Sequence, residues 1–144
     1  MGTIRLLLPF RRVKLSSGNE LELRTRVHGI VSAMYPHGAT LDRRRETRYP
    51  YPNLVHLTPV GDDGCTPAGE PIVVVGKDLA EHGLSFFHPE PIPHRRMIAS
   101  LDMGRGRWLG VLVDLRWCRF TKAGWYESGG RFLQIVQSPL KQAG

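Results

Sequence analysis

Along most of the chain, apolar and polar residues alternate in short runs and do not recur at the three- and four-residue spacing of an amphipathic helix. The longest run is Trp108 to Arg119. Leu109, Val111, Val113, Leu115 and Trp117 fall on one face of an extended strand, and Leu112, Asp114 and Arg116 on the other. Shorter runs predict strands at 54–57, 71–75, 84–87, 97–102 and 131–136. The turn-rich Gly61-Asp62-Asp63-Gly64 and Pro67-Ala68-Gly69 join the first two. Near the start, Val13 to Leu15, a polar Ser16-Ser17-Gly18-Asn19, and Glu20 to Val27 read as a β-hairpin.

Sixteen glycines and eleven prolines punctuate the chain too often for long helices to develop. Strands at short, turn-marked intervals predict a mainly β protein, an antiparallel barrel or sandwich. At 144 residues there is room for one ordinary core. The expected division is a β-rich N-terminal extension over residues 1–40 and a β-barrel domain over 41–144.

Charge narrows the partner. Twenty Lys and Arg against thirteen Asp and Glu give +7, and an excess of this kind speaks to association with anions, not to fold. Residues 1–48 carry ten basic and four acidic groups, 49–104 three and seven, and 105–144 seven and two. Arg, whose planar fork suits phosphates and guanine edges, supplies sixteen of the twenty basic groups.

Cys65 and Cys118 are too few for a disulfide framework and lack a paired metal-ligand spacing, which fits a reducing compartment; a single disulfide between them stays open. Leu6-Leu7-Leu8 before Pro9 and Arg11-Arg12 is too short for a signal core or a spanning helix, so a soluble cytoplasmic protein without membrane insertion is expected. His82, His88 and His94 recur every six residues without the spacing or Cys partners of a metal site, so loop and surface histidines and no metal are expected. Neither a nucleophile elbow nor a Gly-rich phosphate loop is present, and no enzymatic activity is expected.

The densest chemistry is Asp42-Arg43-Arg44-Arg45-Glu46-Thr47-Arg48, immediately before Tyr49-Pro50-Tyr51-Pro52. A residue before Pro is driven to extended geometry, so this basic stretch sits on a loop or turn leading into a strand. Thirty residues on, at the end of an apolar run, comes Asp78-Leu79-Ala80-Glu81-His82-Gly83. Arg44-x-x-x-Arg48 followed by Asp78-x-Ala80-x-x-Gly83 resembles the paired signature of the PilZ domain, a bacterial receptor for cyclic di-GMP. Trp117-Cys118-Arg119 resembles the family's aromatic-containing later strand, and the resemblance covers roughly residues 41–137.

The resemblance implies a six-stranded antiparallel β-barrel and no cofactor beyond the ligand cyclic di-GMP. It assigns Arg44 and Arg48 to base and phosphate contacts, Asp78 to a guanine edge, Ala80 and Gly83 to the turn, and Trp117 to stacking. The chemistry agrees: guanine offers O6 and N7 acceptors to Arg, and N1–H and an exocyclic amine to a carboxylate. Gly83, lacking Cβ, suits a turn and a close backbone approach. Arg43, before the first motif Arg, implies that the ligand binds as an intercalated pair, two molecules per site. Ala80 stands where the family usually has Ser, a missing hydroxyl worth about 0.5–1.5 kcal/mol. By alternation alone Trp117 is a core residue. Two other classes stay open: a basic barrel binding single-stranded nucleic acid, against which Asp78 and Gly83 speak, and a PilZ-like adaptor without ligand. As a receptor, the chain implies an unidentified downstream partner protein.

Overall fold

The computed structural model describes residue 22, residues 25–30, residue 32 and residues 48–141. Seven strands follow one another: β1 (Arg48–Pro50), β2 (Leu54–Pro59), β3 (Ile72–Ala80), β4 (Gly83–His88), β5 (Arg96–Gly104), β6 (Arg107–Phe120) and β7 (Tyr126–Val136). Strands β2 to β7 close into a six-stranded antiparallel barrel in the order β3-β2-β5-β6-β7-β4, with β4 pairing back onto β3. The closed ring leaves no long free edge, which protects an all-β chain of this size from edge-to-edge pairing.

β1 is the seventh segment. Asp78 and Leu79 of β3 pair with Ser85 and Leu84 of β4 on one side and with Pro50 and Tyr49 of β1 on the other, the side that β2 occupies further along. β1 therefore continues the line of β2 after a one-residue offset. The ladder carries through the offset, with Tyr51 N–H donating to Lys77 O at 2.8 Å and Gly76 N–H to Asn53 O at 2.8 Å. Pro at 50 and 52 shorten this strand, because neither can donate to a ladder.

Alternation fills the barrel as expected. Met97, Ala99 and Leu101 of β5 and Leu109, Val111, Val113 and Leu115 of β6 are buried in one cluster with Val55, Leu57, Val74, Leu79, Phe86 and Phe132. A smaller apolar cluster of Ile98, Leu112 and Leu133 covers part of the outer face, so both sides of mid-β6 are buried.

The N-terminal side is helical and not the expected hairpin where it is described. Residues 25–30, with Glu22 and Ser32, are helical where Glu20 to Val27 read as the second hairpin strand. The rest of that hairpin lies outside the described residues. Val27 and Ile30, three apart on one helix face, are buried in the barrel's own core cluster, while Thr25, Arg26, His28 and Gly29 are exposed. Leu23, Val27 and Ile30 also fit a four-then-three spacing, so the short period-two pattern was ambiguous. His28 Nε2 meets Glu81 Oε1 at 2.6 Å and ties the helix to the β3–β4 turn.

His88 is the other departure. It is buried at the end of β4, not on a loop or the surface. Its Nδ1–H donates to Glu90 O at 2.6 Å, and Nε2 accepts from the Ser128 hydroxyl at 2.7 Å. Burial lowers its pKa below the usual imidazole value, the Glu90 hydrogen bond offsetting this only in part.

Candidate functional site

Antiparallel partners directly opposite each other point to the same side of a sheet. Leu79 faces the core, so its neighbours Asp78 and Ala80 face outward. Register then fixes what stands beside them: Asp78 pairs with Ser85, Ser85 with Gly129, and Gly129 with Trp117. These four residues form one outward row across β3, β4, β7 and β6. The next row toward the barrel rim is Gly83, Arg131 and Asp114. Arg48 lies opposite Ala80.

Two bulges shape the rows. In β3 the pairing shifts between Gly76 and Asp78, and in β6 between Leu115 and Trp117, where Arg116 is the extra residue. A bulge inserts one residue and reverses the side on which the rest of the strand points. Leu115 therefore faces in, Trp117 faces out at 39% exposure, and Cys118 is buried. This corrects the expectation that Trp117 shares the apolar face of β6, and leaves it on the surface available to a ligand.

The indole lies flat over Gly129. A Cβ there would fall 2.4 Å from Trp117 Cε2 and Nε1. The Arg119 guanidinium sits 5.8 Å from the ring centroid, within cation–π range.

Gly83 serves a close approach and not a turn. It is absent from the residues with positive φ, but a Cβ would lie 2.2 Å from the carbonyl oxygen of Gly130 on β7. The turn itself is made by Glu81 and His82.

Arg48, Asp78, Ala80, Gly83 and Trp117 line a single open cleft of about 460 Å³, in the size range of small-molecule sites. Arg43 and Arg44 lie outside the described residues. The cleft is on the outer face of the barrel; the lumen is filled by side chains. Ser85, Arg116 and Arg131 also line the cleft and were not singled out from the sequence, and His82, expected there only as a loop or surface histidine, lines it too. Ser85 Oγ is 3.4 Å from Asp78 Oδ2, a long contact that places a hydroxyl beside the carboxylate from the neighbouring strand. The alternation within β4, β6 and β7 carries no record of which strands are neighbours, so only the paired register brings Ser85, Arg116 and Arg131 together.

The charged groups around the cleft differ in how fully they are engaged. Below it, Glu127 holds Lys77 at 3.0 Å and Arg119 at 3.0 Å. Burial works to raise the Glu127 pKa, but the hydrogen bonds and charges of Lys77 and Arg119 outweigh it and hold the carboxyl below its ordinary value. Arg48 and Arg131, by contrast, have no ion-pair partner among the described residues. No three His, Cys, Asp or Glu side chains among the described residues converge to hold a metal ion. Among them, too, no helix is long and apolar enough to cross a membrane. Compared with known proteins, the chain matches no family model, no curated protein and no solved structure.

Proposed function

We propose that this chain is a PilZ-like receptor that binds cyclic di-GMP in the outer-face cleft and passes the signal to a partner protein in the cytoplasm. The observation that carries the proposal is the convergence of separated sequence elements. Arg48, Asp78, Ala80, Gly83 and Trp117 come from β1, β3, β4 and β6, yet they line one cleft.

Each wall suits one feature of the ligand. Asp78 accepts from the guanine N1–H and exocyclic amine, Arg48 donates to a phosphate or to guanine O6 and N7, and the exposed face of Trp117 offers a stacking surface. Arg44 precedes Arg48 by four residues in sequence and offers a second guanidinium. A ligand held between Arg48 and the barrel face changes the surface that a partner reads. The proposed pair of ligands per site rests on Arg43 alone.

Calorimetric titration with cyclic di-GMP tests the proposal on wild type, Arg48→Ala and Asp78→Ala. Wild type should release heat at tens of micromolar protein, where affinities of ~1 μM are readily measured, and both variants should lose most of it. Silence from the wild type sinks the receptor reading. Equal binding by all three moves the ligand elsewhere, and one ligand per chain removes the intercalated pair. Tight single-stranded DNA binding with a steep salt dependence would favour the nucleic-acid barrel instead.

A further inference from the structure

Charge is not uniform across the cleft. Asp78 stands on its β3 side, and Arg116 and Arg131 stand on its β6–β7 side. Neither arginine belongs to the two sequence motifs. Arg131 lies directly opposite Asp114 in the ladder, and Arg116 follows Asp114 by two residues into the β6 bulge.

Asp114 is 3% exposed and crowded by cations. Arg116 Nε lies 2.8 Å away, Arg95 Nε 3.0 Å and Arg96 Nε 3.9 Å. Its single negative charge cannot neutralise both Arg116 and Arg95, and Arg131 beside it has no ion-pair partner among the described residues. A local excess of positive charge in the wall of a concave site concentrates the field there and favours an anion. Arg48, also without a partner among the described residues, supplies positive charge on the opposite flank.

We infer that Arg116 and Arg131 form a second phosphate contact, so that the two phosphates of a cyclic dinucleotide are divided between opposite flanks of the cleft. One is held on the Arg48 side and the other by the Arg116–Arg131 pair, with Asp78 between them reading the base. The inference rests on the cyclic di-GMP proposal above. Its physical basis is the fit of the guanidinium fork to two phosphate oxygens, and the prior fixing of Arg116 by Asp114, which reduces the side-chain freedom lost on binding. Three strand intervals separate Arg48 on β1 from Arg131 on β7 by way of β3 and β4, roughly 14 Å along the sheet at ~4.8 Å each, so a compact monophosphate reaches one flank at a time.

The test compares wild type, the double variant Arg116→Gln/Arg131→Gln, and Arg95→Gln, each first checked for an unchanged circular dichroism spectrum. Arg95 contacts the same carboxylate but does not line the cleft, so it isolates the structural share of the Asp114 cluster. Cyclic di-GMP affinity should fall about tenfold to a hundredfold in the double variant, as expected for lost charged hydrogen bonds, with a shallower dependence on salt. Arg95→Gln should bind as wild type does. Wild-type affinity in the double variant, or an equal loss in Arg95→Gln, overturns the inference and leaves the receptor proposal standing. Should wild type itself not bind cyclic di-GMP, the receptor proposal falls. The arginine Nε–H resonances titrated with inorganic phosphate then decide the anion contact: shifts at Arg116 and Arg131 support it, and their absence overturns it.

Discussion

Replacing Gly129 by alanine brings a methyl group up beneath the indole of Trp117. The Cβ would stand 2.4 Å from ring atoms whose ordinary contact begins at 3.4 Å, so the ring must move outward by about 1 Å or the β6–β7 pairing must open. At 39% exposure, Trp117 keeps most of its surface covered. For a side chain able to bury roughly 200 Å², that cover is roughly 120 Å², or about 3 kcal/mol at ~25 cal/mol per Å² if all were lost. A 1 Å displacement forfeits part of it, so Gly129→Ala should destabilise the fold by about 1–2 kcal/mol. Removing the ring reverses the sign. In a Trp117→Ala background the three atoms nearest the new methyl group are gone, and the same substitution should stabilise by about 0.4–1 kcal/mol by restricting the unfolded chain. Urea unfolding of the four proteins in this cycle, read by far-UV circular dichroism, measures the coupling. If Gly129→Ala changes stability by the same amount and sign in both backgrounds, the indole does not rest on Gly129.

Ala80→Ser, which adds a hydroxyl beside Asp78 and opposite Arg48, should tighten cyclic di-GMP binding by roughly two- to twelvefold, the equivalent of about 0.5–1.5 kcal/mol; calorimetry showing unchanged or weaker binding refutes this. His88 is kept neutral by burial, so its folded pKa lies below the unfolded value of about 6.5. The unfolded chain then takes up a proton that the folded chain resists. Stability is complete above that value and falls as pH drops through the window beneath it, by at most about 1.4 kcal/mol per pH unit. His88→Asn should flatten urea midpoints measured between pH 7.5 and 5.5, and an unchanged slope would contradict the assignment.

The barrel strands were legible because their inward residues face a filled lumen and so keep a strict period of two, as at Leu109, Val111, Val113 and Leu115. β1 was not, since three residues carry no period; only the extended bias before Pro50 hinted at it. The helical residues 25–30 escaped because a short apolar series satisfied both periods until packing against the core chose between them. In the cleft, Arg48, Asp78, Ala80, Gly83 and Trp117 were singled out through the family resemblance, while Ser85, Arg116 and Arg131 were not. Their place in the cleft depends on strand neighbours and on a bulge at Arg116, both set by tertiary pairing.

That the cleft lies on the outside of a filled barrel divides labour between adjacent positions of one strand. Leu79, facing the lumen, answers for whether the chain folds; Asp78 and Ala80 on either side of it answer for what the surface holds. Such a separation makes the molecule evolvable in a particular way. Under the proposed receptor function, exchanges at positions 48, 78, 85, 116 and 131 would retune what the cleft binds while leaving the inward residues that fill the barrel untouched.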